Sequence, residues 1–145
     1  MWRGLIEASG AGRSCPPADP AVLQRVEQSL GHPLPPELSA LLLQTDGIEG
    51  PYGEGLVWPA EQILKNNETF RTDPQTRSLY RPFVSLLFIG DNGGGDQFAL
   101  LRACERADVH VWDHETDERS PVAPDLAGYV RRALESGGED WYRQP

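Results

Sequence analysis

Residues 88–101 read Phe-Ile-Gly-Asp-Asn-Gly-Gly-Gly-Asp-Gln-Phe-Ala-Leu-Leu: an apolar run, three adjacent glycines, and a second apolar run. Glycine loses more backbone freedom on ordering than any other residue, so adjacent glycines mark a backbone that needs positive φ or a close approach. Such a stretch is either a tight turn or a ligand cradle. A phosphate loop requires Gly-Lys-Ser/Thr at the start of a helix, and a dinucleotide fingerprint requires Gly-x-Gly-x-x-Gly before a helix. Here Asp96 and an apolar strand follow Gly95. A calcium loop would place its third and fifth ligands on Gly93 and Gly95, which have no side chain to offer. The stretch is therefore expected to be strand, turn, strand.

The flanking sequence extends that sheet. Phe83 to Ile89 is apolar on both faces, the mark of a fully buried strand. Gln97 to Arg102 is its expected neighbour. Val109-His-Val-Trp-Asp113 alternates, and Arg119 to Ala123 pairs with it across a turn at Glu115-Thr-Asp-Glu118.

Helices precede and follow. The first carries Trp2, Leu5 and Ile6 on one face, and a loop follows it from Gly10 to Pro17. Asp19 caps a helix with Pro20 at its first position and Gly31 at its end. Leu34-Pro-Pro-Glu-Leu-Ser-Ala-Leu-Leu-Leu-Gln-Thr-Asp-Gly47 repeats this, with Leu38, Leu41 and Leu42 as the buried stripe and Gly47 as the left-handed stop. After the Gly50–Gly55 loop, Leu56-Val-Trp58 is a short strand. Pro59 opens a helix bearing Ile63, Leu64 and Phe70, and Arg71 to Arg81 is a polar connector. Asp125 or Pro124 starts a last helix with Leu126, Tyr129, Val130, Ala133 and Leu134 buried. Gly137-Gly138 stops it, and Trp141-Tyr142 docks back. Helices, then antiparallel strands, then a helix is an α+β order, and residues 1–145 are read as a single domain.

Composition narrows the function. Net charge is −9 with 22 acidic against 13 basic residues. Binding a phosphate backbone requires clustered Lys and Arg, so direct nucleic-acid binding is not expected. No apolar run approaches the roughly 20 residues of a membrane-spanning helix, and the start has no basic segment leading into an apolar one, so neither a membrane partner nor a secretory signal is read. Cys15 and Cys104 form no disulfide framework and lack metal-ligand spacing. These features point to the cytoplasm. Between Arg25 and Lys65 there is no Lys or Arg, yet Glu27, Glu37, Asp46, Glu49, Glu54 and Glu61 fall there. Asp91, Asp96, Asp108, Asp113, Glu115, Asp117 and Glu118 form a second acidic belt. Such a field steers basic partners.

Catalytic chemistry finds little support. On a strand, positions 110, 112 and 114 share a face, which would group His110, Trp112 and His114 outward with Val109 and Val111 facing the core. Two histidines beside Glu115 are a conceivable metal set, but no further ligand is assigned by spacing. A surface His/Trp patch suited to a protein partner is the favoured reading. No Gly-x-Ser-x-Gly occurs, Ser85 lies in the apolar strand, and Cys104 has no base assigned by sequence. Neither an enzyme nor a cofactor is expected.

Three segments together resemble the SUKH superfamily, which includes bacterial toxin-immunity proteins and a fungal regulator of cell-wall synthesis. They are residues 34–47, residues 88–101, and Val109-His-Val-Trp-Asp-His-Glu-Thr-Asp-Glu118 followed by the last helix. The resemblance covers about residues 20–135. Gly90, Gly95, Asp96, Trp112 and His114 fall on its recurrent positions, and most of these are expected to serve the fold. It implies a single α+β domain with a curved, mostly antiparallel central sheet and helices packed around it. It also implies action by protein binding, with no catalytic residues to carry over. The expected function is bacterial immunity: binding and neutralising a cognate toxin, a nuclease or deaminase, which would be basic. A scaffold or regulatory interaction module is the alternative, and a metal-dependent hydrolase using His110 and His114 a minor one. The expected protein-binding face comprises Tyr52, Glu54, Trp58, Asp91, Asn92, His110, Trp112, His114 and Glu115.

Overall fold

A computed structural model describes residues 1–83, 85–101, 107–136 and 141–143. Cys104 with Arg102, Glu105 and Arg106, the Gly137-Gly138 stop and most of the tail from 139 lie outside the described residues. The first half holds α1 (Trp2–Ser9), β1 (Arg13–Ser14), α2 (Pro20–Leu30), α3 (Pro36–Gln44), β2 (Ile48–Glu49) and β3 (Gly55–Val57). Then come α4 (Ala60–Thr72), α5 (Pro74–Leu79), β4 (Leu86–Asp91), β5 (Gln97–Leu101), β6 (Val109–Trp112), β7 (Arg119–Ala123) and α6 (Leu126–Glu135). A short 3-10 turn spans Trp141–Arg143.

Local signals set most boundaries. The Asp19 carboxylate accepts from Ala21 N at 2.9 Å, Pro20 opens α2, and Gly31 closes it at φ 80°. Asp125 caps α6 by accepting from Gly128 N at 2.7 Å. The five expected residues, Leu126, Tyr129, Val130, Ala133 and Leu134, are all buried. Strand β4 begins at Leu86, three residues after the expected Phe83, and two helical boundaries also differ from expectation. Helix α3 stops at Gln44 with Thr45 extended, because Thr45 Oγ1 takes Cys15 N at 2.7 Å and donates to Gly47 O at 2.7 Å; Gly47 turns left-handed beyond the helix. The connector from Arg71 is also helical: α4 continues to Thr72, and Asp73 accepts from Thr76 N and Oγ1 to cap α5, with Pro74 at its first position. Asp-Pro is itself a helix-start signal, and it overrides the polarity of the segment.

The strands form two antiparallel sheets, β1-β2-β3 and β4-β5-β6-β7, where one central sheet was expected. The Gly10–Pro17 loop contributes β1 to the smaller one. A bulge joins the two sheets. Phe88 pairs with Ala99 and Gly90 with Phe98, so Ile89 has no partner on β5. Its carbonyl instead accepts from Trp58 N at 2.7 Å. The rest of that edge is closed by a side chain. Buried Asn67 of α4 donates Nδ2 to Phe88 O at 2.8 Å and to Ile63 O at 2.7 Å, while its Oδ1 accepts from Phe88 N at 2.8 Å.

Both faces of the four-stranded sheet are covered. On one, Phe70 of α4 packs with Phe83, Phe88 and Trp112 at centroid distances of 4.7–5.7 Å, and Tyr80 stands edge-on to Trp112 at 4.8 Å. On the other, Phe98 meets Tyr129 of α6 at 4.8 Å, and Trp141 stacks on Phe98 at 6.0 Å. The Tyr129 hydroxyl donates to Leu56 O at 2.6 Å, binding α6 to β3. Burial pushes that phenol well above its ordinary value, so it is neutral and a donor.

Candidate functional site: an acidic cleft beside the glycine turn

The Asp91–Asp96 segment is a self-bonded turn. Gly93 N donates to Asp91 Oδ1 at 2.7 Å, and Gly94 N and Asp96 N donate to Asn92 Oδ1 at 2.8 and 3.2 Å. The amides of Gly93, Gly94 and Asp96 thus point at the turn's own side chains. Gly95 adopts φ 111°, and a Cβ there would lie 2.8 Å from the His114 ring.

The turn forms one wall of a cleft of about 680 Å³ whose other walls are the β2–β3 hairpin and the start of α4. Four carboxylates line it: Asp46, Glu49, Glu54 and Asp91. Asp46 and Asp91 are held by short hydrogen bonds, Glu54 and Glu49 by weaker exposed contacts. Asp46 Oδ1 accepts from Ala60 N at 2.8 Å, giving α4 the N-terminal cap that Pro59 cannot provide. Asp91 Oδ2 accepts the Trp58 indole N–H at 2.6 Å. Glu54 Oε1 accepts from Tyr52 N at 3.2 Å, and Glu49 stands 3.9 Å from the exposed Arg13. No basic side chain lines the cleft among the described residues, so nothing in its lining offsets the negative charge. Tyr52 projects at its mouth, 76% exposed. Cys15 also lines it; burial, then the charges of Glu49 and Asp46, push its thiol upward, away from the nucleophilic thiolate.

The nine residues expected on one face separate. Tyr52, Glu54, Trp58, Asp91 and Asn92 line the cleft. His110, Trp112, His114 and Glu115 do not. Trp58 and Trp112 are corrections: they are 2% and 3% exposed, and neither ring is presented to a partner. Trp58 supports Asp91 from beneath. Trp112 is buried because its sheet is covered on both sides, so alternation does not send alternate residues to water. Strand β6 also ends at Trp112, so His114 lies in the following turn and is not aligned with His110. His110 is half-buried on the sheet opposite Ala99 and Pro121.

His114 belongs to a polar chain that reaches the cleft. Its Nδ1–H donates to buried Asp96 Oδ1 at 2.7 Å. Asp96 Oδ2 accepts the Tyr142 hydroxyl at 3.0 Å, and Asn92 Nδ2 donates to that hydroxyl. Asp96, Asp113 and His114 place one ligand atom each within 4.8 Å of one another, a different trio from His110, His114 and Glu115. Both Asp96 oxygens and His114 Nδ1 are already engaged in the chain. Sequence reading missed Asp46 and Glu49 as cleft residues, although the acidic stretch from Glu27 to Glu61 contained them. It also missed Tyr142, because nothing local announces contact across 46 residues with Asp96.

The β6–β7 turn is locked by Asp117 at φ 63°. It accepts from Arg81 N at 2.9 Å, the Trp112 indole at 2.8 Å, Arg119 Nη2 at 3.0 Å and Arg81 Nε at 3.2 Å. Burial opposes ionisation, but these donors outweigh it and hold the carboxyl at about 2, below its ordinary 3.8. A depressed carboxyl contributes stability that is present above about pH 4 and lost as pH falls toward 2. With the side chain 17% exposed, the shift corresponds to about 2 kcal/mol. Asp117→Asn keeps a residue tolerant of positive φ and removes the charge. Its unfolding free energy should fall by about 2 kcal/mol at pH 7 and match that of the parent near pH 2. Parallel denaturation curves from pH 7 to 2 would refute this.

These features define an α+β domain carrying a preorganised acidic cleft. Among the described residues no helix is long and apolar enough to cross a membrane. The chain belongs to the SMI1/KNR4 family (SUKH-1), whose family model matches residues 17–132. Domains of this family act in protein–protein interactions. A search of curated proteins finds no match.

Proposed function

We propose that this chain is a bacterial immunity protein that binds and neutralises a cognate toxin, and that the acidic cleft is its contact surface. The toxin is a basic nuclease or a deaminase acting on nucleic acid, since enzymes that grip phosphates carry clustered Lys and Arg. The observation that supports this most directly is the set of four carboxylates that share one cleft with exposed Tyr52. Ordered side chains lose little entropy on binding, and an aromatic at the rim suits an anchor role. Glu115, 77% exposed, extends the negative field beyond the cleft.

The test is rescue from the toxin encoded beside this gene, followed by binding kinetics with a catalytically dead toxin. A Glu49→Lys/Glu54→Lys double variant should lose about tenfold in association rate at low ionic strength, and the difference should shrink at high salt. Tyr52→Ala should act on dissociation, costing about 2 kcal/mol. Unchanged association of the double variant, with its melting temperature retained, would remove the cleft from the interface. Failure of rescue, with capture of a housekeeping partner, would replace immunity with the regulatory reading.

A further inference from the structure

The chain also carries a concavity of opposite character. Where α4 passes into α5 and on toward β4, a pocket of about 280 Å³ is lined by Phe70, Arg71, Arg77, Arg81, Pro82 and Phe83. Three guanidiniums and, among the described residues, no carboxylate line this small pocket, which runs against the average of a chain with net charge −9. Two of them are held in position. Arg71 donates Nη2 to Leu86 O at 3.1 Å, and Arg81 is tied to Asp117 through Nε at 3.2 Å and through Nη2 to the Asp117 carbonyl at 2.7 Å. Arg77, in the last turn of α5, is exposed, and its guanidinium makes no hydrogen bond or ion pair among the described residues. Arg119 lies behind the wall, 4.6 Å over the Phe83 ring, where it shares the Asp117 carboxylate with Arg81 at 3.0 Å.

We propose that this pocket binds a phosphate monoester. The Arg77 guanidinium can offer a phosphate two parallel N–H groups, and the further positive charge of Arg71 and Arg81 favours a dianion over a single carboxylate. The Phe70 and Phe83 wall takes the apolar part of the ester. The volume lies just below the range of pockets that enclose drug-sized ligands, so the bound group is no larger than a phosphate with one ring. None of the lining residues belongs to the acidic cleft, so this site stands or falls independently of it.

The probes are phenyl phosphate, inorganic phosphate, benzoate, and a capped tripeptide with central phosphotyrosine, titrated by calorimetry and by NMR of the arginine Nε–H signals. Phenyl phosphate should bind saturably and more tightly than inorganic phosphate, and benzoate at least tenfold more weakly. Arg77→Ala should weaken phenyl phosphate about tenfold, the loss of one charge-assisted contact. Arg77→Lys should recover part of that, and Arg131→Ala on α6 should change nothing. Arg77 supports no other residue, so both of its variants should keep the parental melting temperature. A tripeptide that binds as tightly as phenyl phosphate would identify a phosphorylated side chain as the source; a weaker one would identify a free metabolite. No saturable binding, equal affinity in Arg77→Ala, or benzoate binding as tightly as phosphate would overturn the proposal.

Discussion

Gly90→Ala is expected to destabilise the protein by about 4 kcal/mol, lowering the melting temperature by roughly 10 °C or more. A Cβ at position 90 would lie 2.0 Å from Leu56 O and 2.8 Å from Gly55 O. These are backbone atoms of β3, with no side chain to rotate away. Strand β3 would have to retreat from β4. That would break the bond from Trp58 N to Ile89 O and pull the Trp58 indole from Asp91. Stability and the order of the acidic cleft should therefore fail together, visible as a changed tryptophan emission before unfolding. Gly94→Ala is the control from the same segment. Its nearest neighbours would be 3.5 Å away and its φ is not positive, so it should stay within about 0.5 kcal/mol of the parent. Equal stabilities for the two variants would show that the contact between the sheets is softer than described.

Asn67→Ala is the second large effect, at about 3–5 kcal/mol. Asn67 lends β4 the donor and acceptor that a neighbouring strand would otherwise supply, bonding both Phe88 N and Phe88 O. Removing the amide leaves both groups buried without partners, where water cannot reach them. Asn67→Asp separates the two roles. Its carboxylate can still accept from Phe88 N, but it faces the carbonyls of Phe88 and Ile63 without a donor. Its carboxyl should titrate above the ordinary value, and the variant should lose stability as pH rises through that range. A cost below about 1 kcal/mol for Asn67→Ala would mean that the strand edge finds other partners.

Much of this architecture was legible in particular residues. Asp19-Pro20 and Gly31 bracket α2, Asp125 opens α6, and the apolar period of α6 names its buried face. Residues 88–101 read correctly as strand, turn and strand, and Tyr52, Glu54, Asp91 and Asn92 line one cleft. The misreadings have a common origin. Alternation in β6 implies one wet face, and only the helices on both sides of the sheet make Trp112 internal. The polarity of the segment after Arg71 implies a connector, although Asp73-Pro74 carries the helix signal. No local pattern could place Asn67 against Phe88 or Tyr142 against Asp96, because those contacts cross 21 and 46 residues.

By itself, the sequence determined the quantities that depend on neighbours along the chain: helix starts, turn positions, the glycine stretch, the charge excess and the family. Only the tertiary structure decided which acids share a cleft, which tryptophans are buried, and that three arginines line a separate pocket. Helix caps and turns form between residues a few positions apart, so composition and spacing report them. Burial and the local field are set by what the folded chain brings from far away to cover a side chain. Gly90 belongs to both accounts: its residue type marks a close approach, and the fold shows that what approaches is the backbone of Leu56.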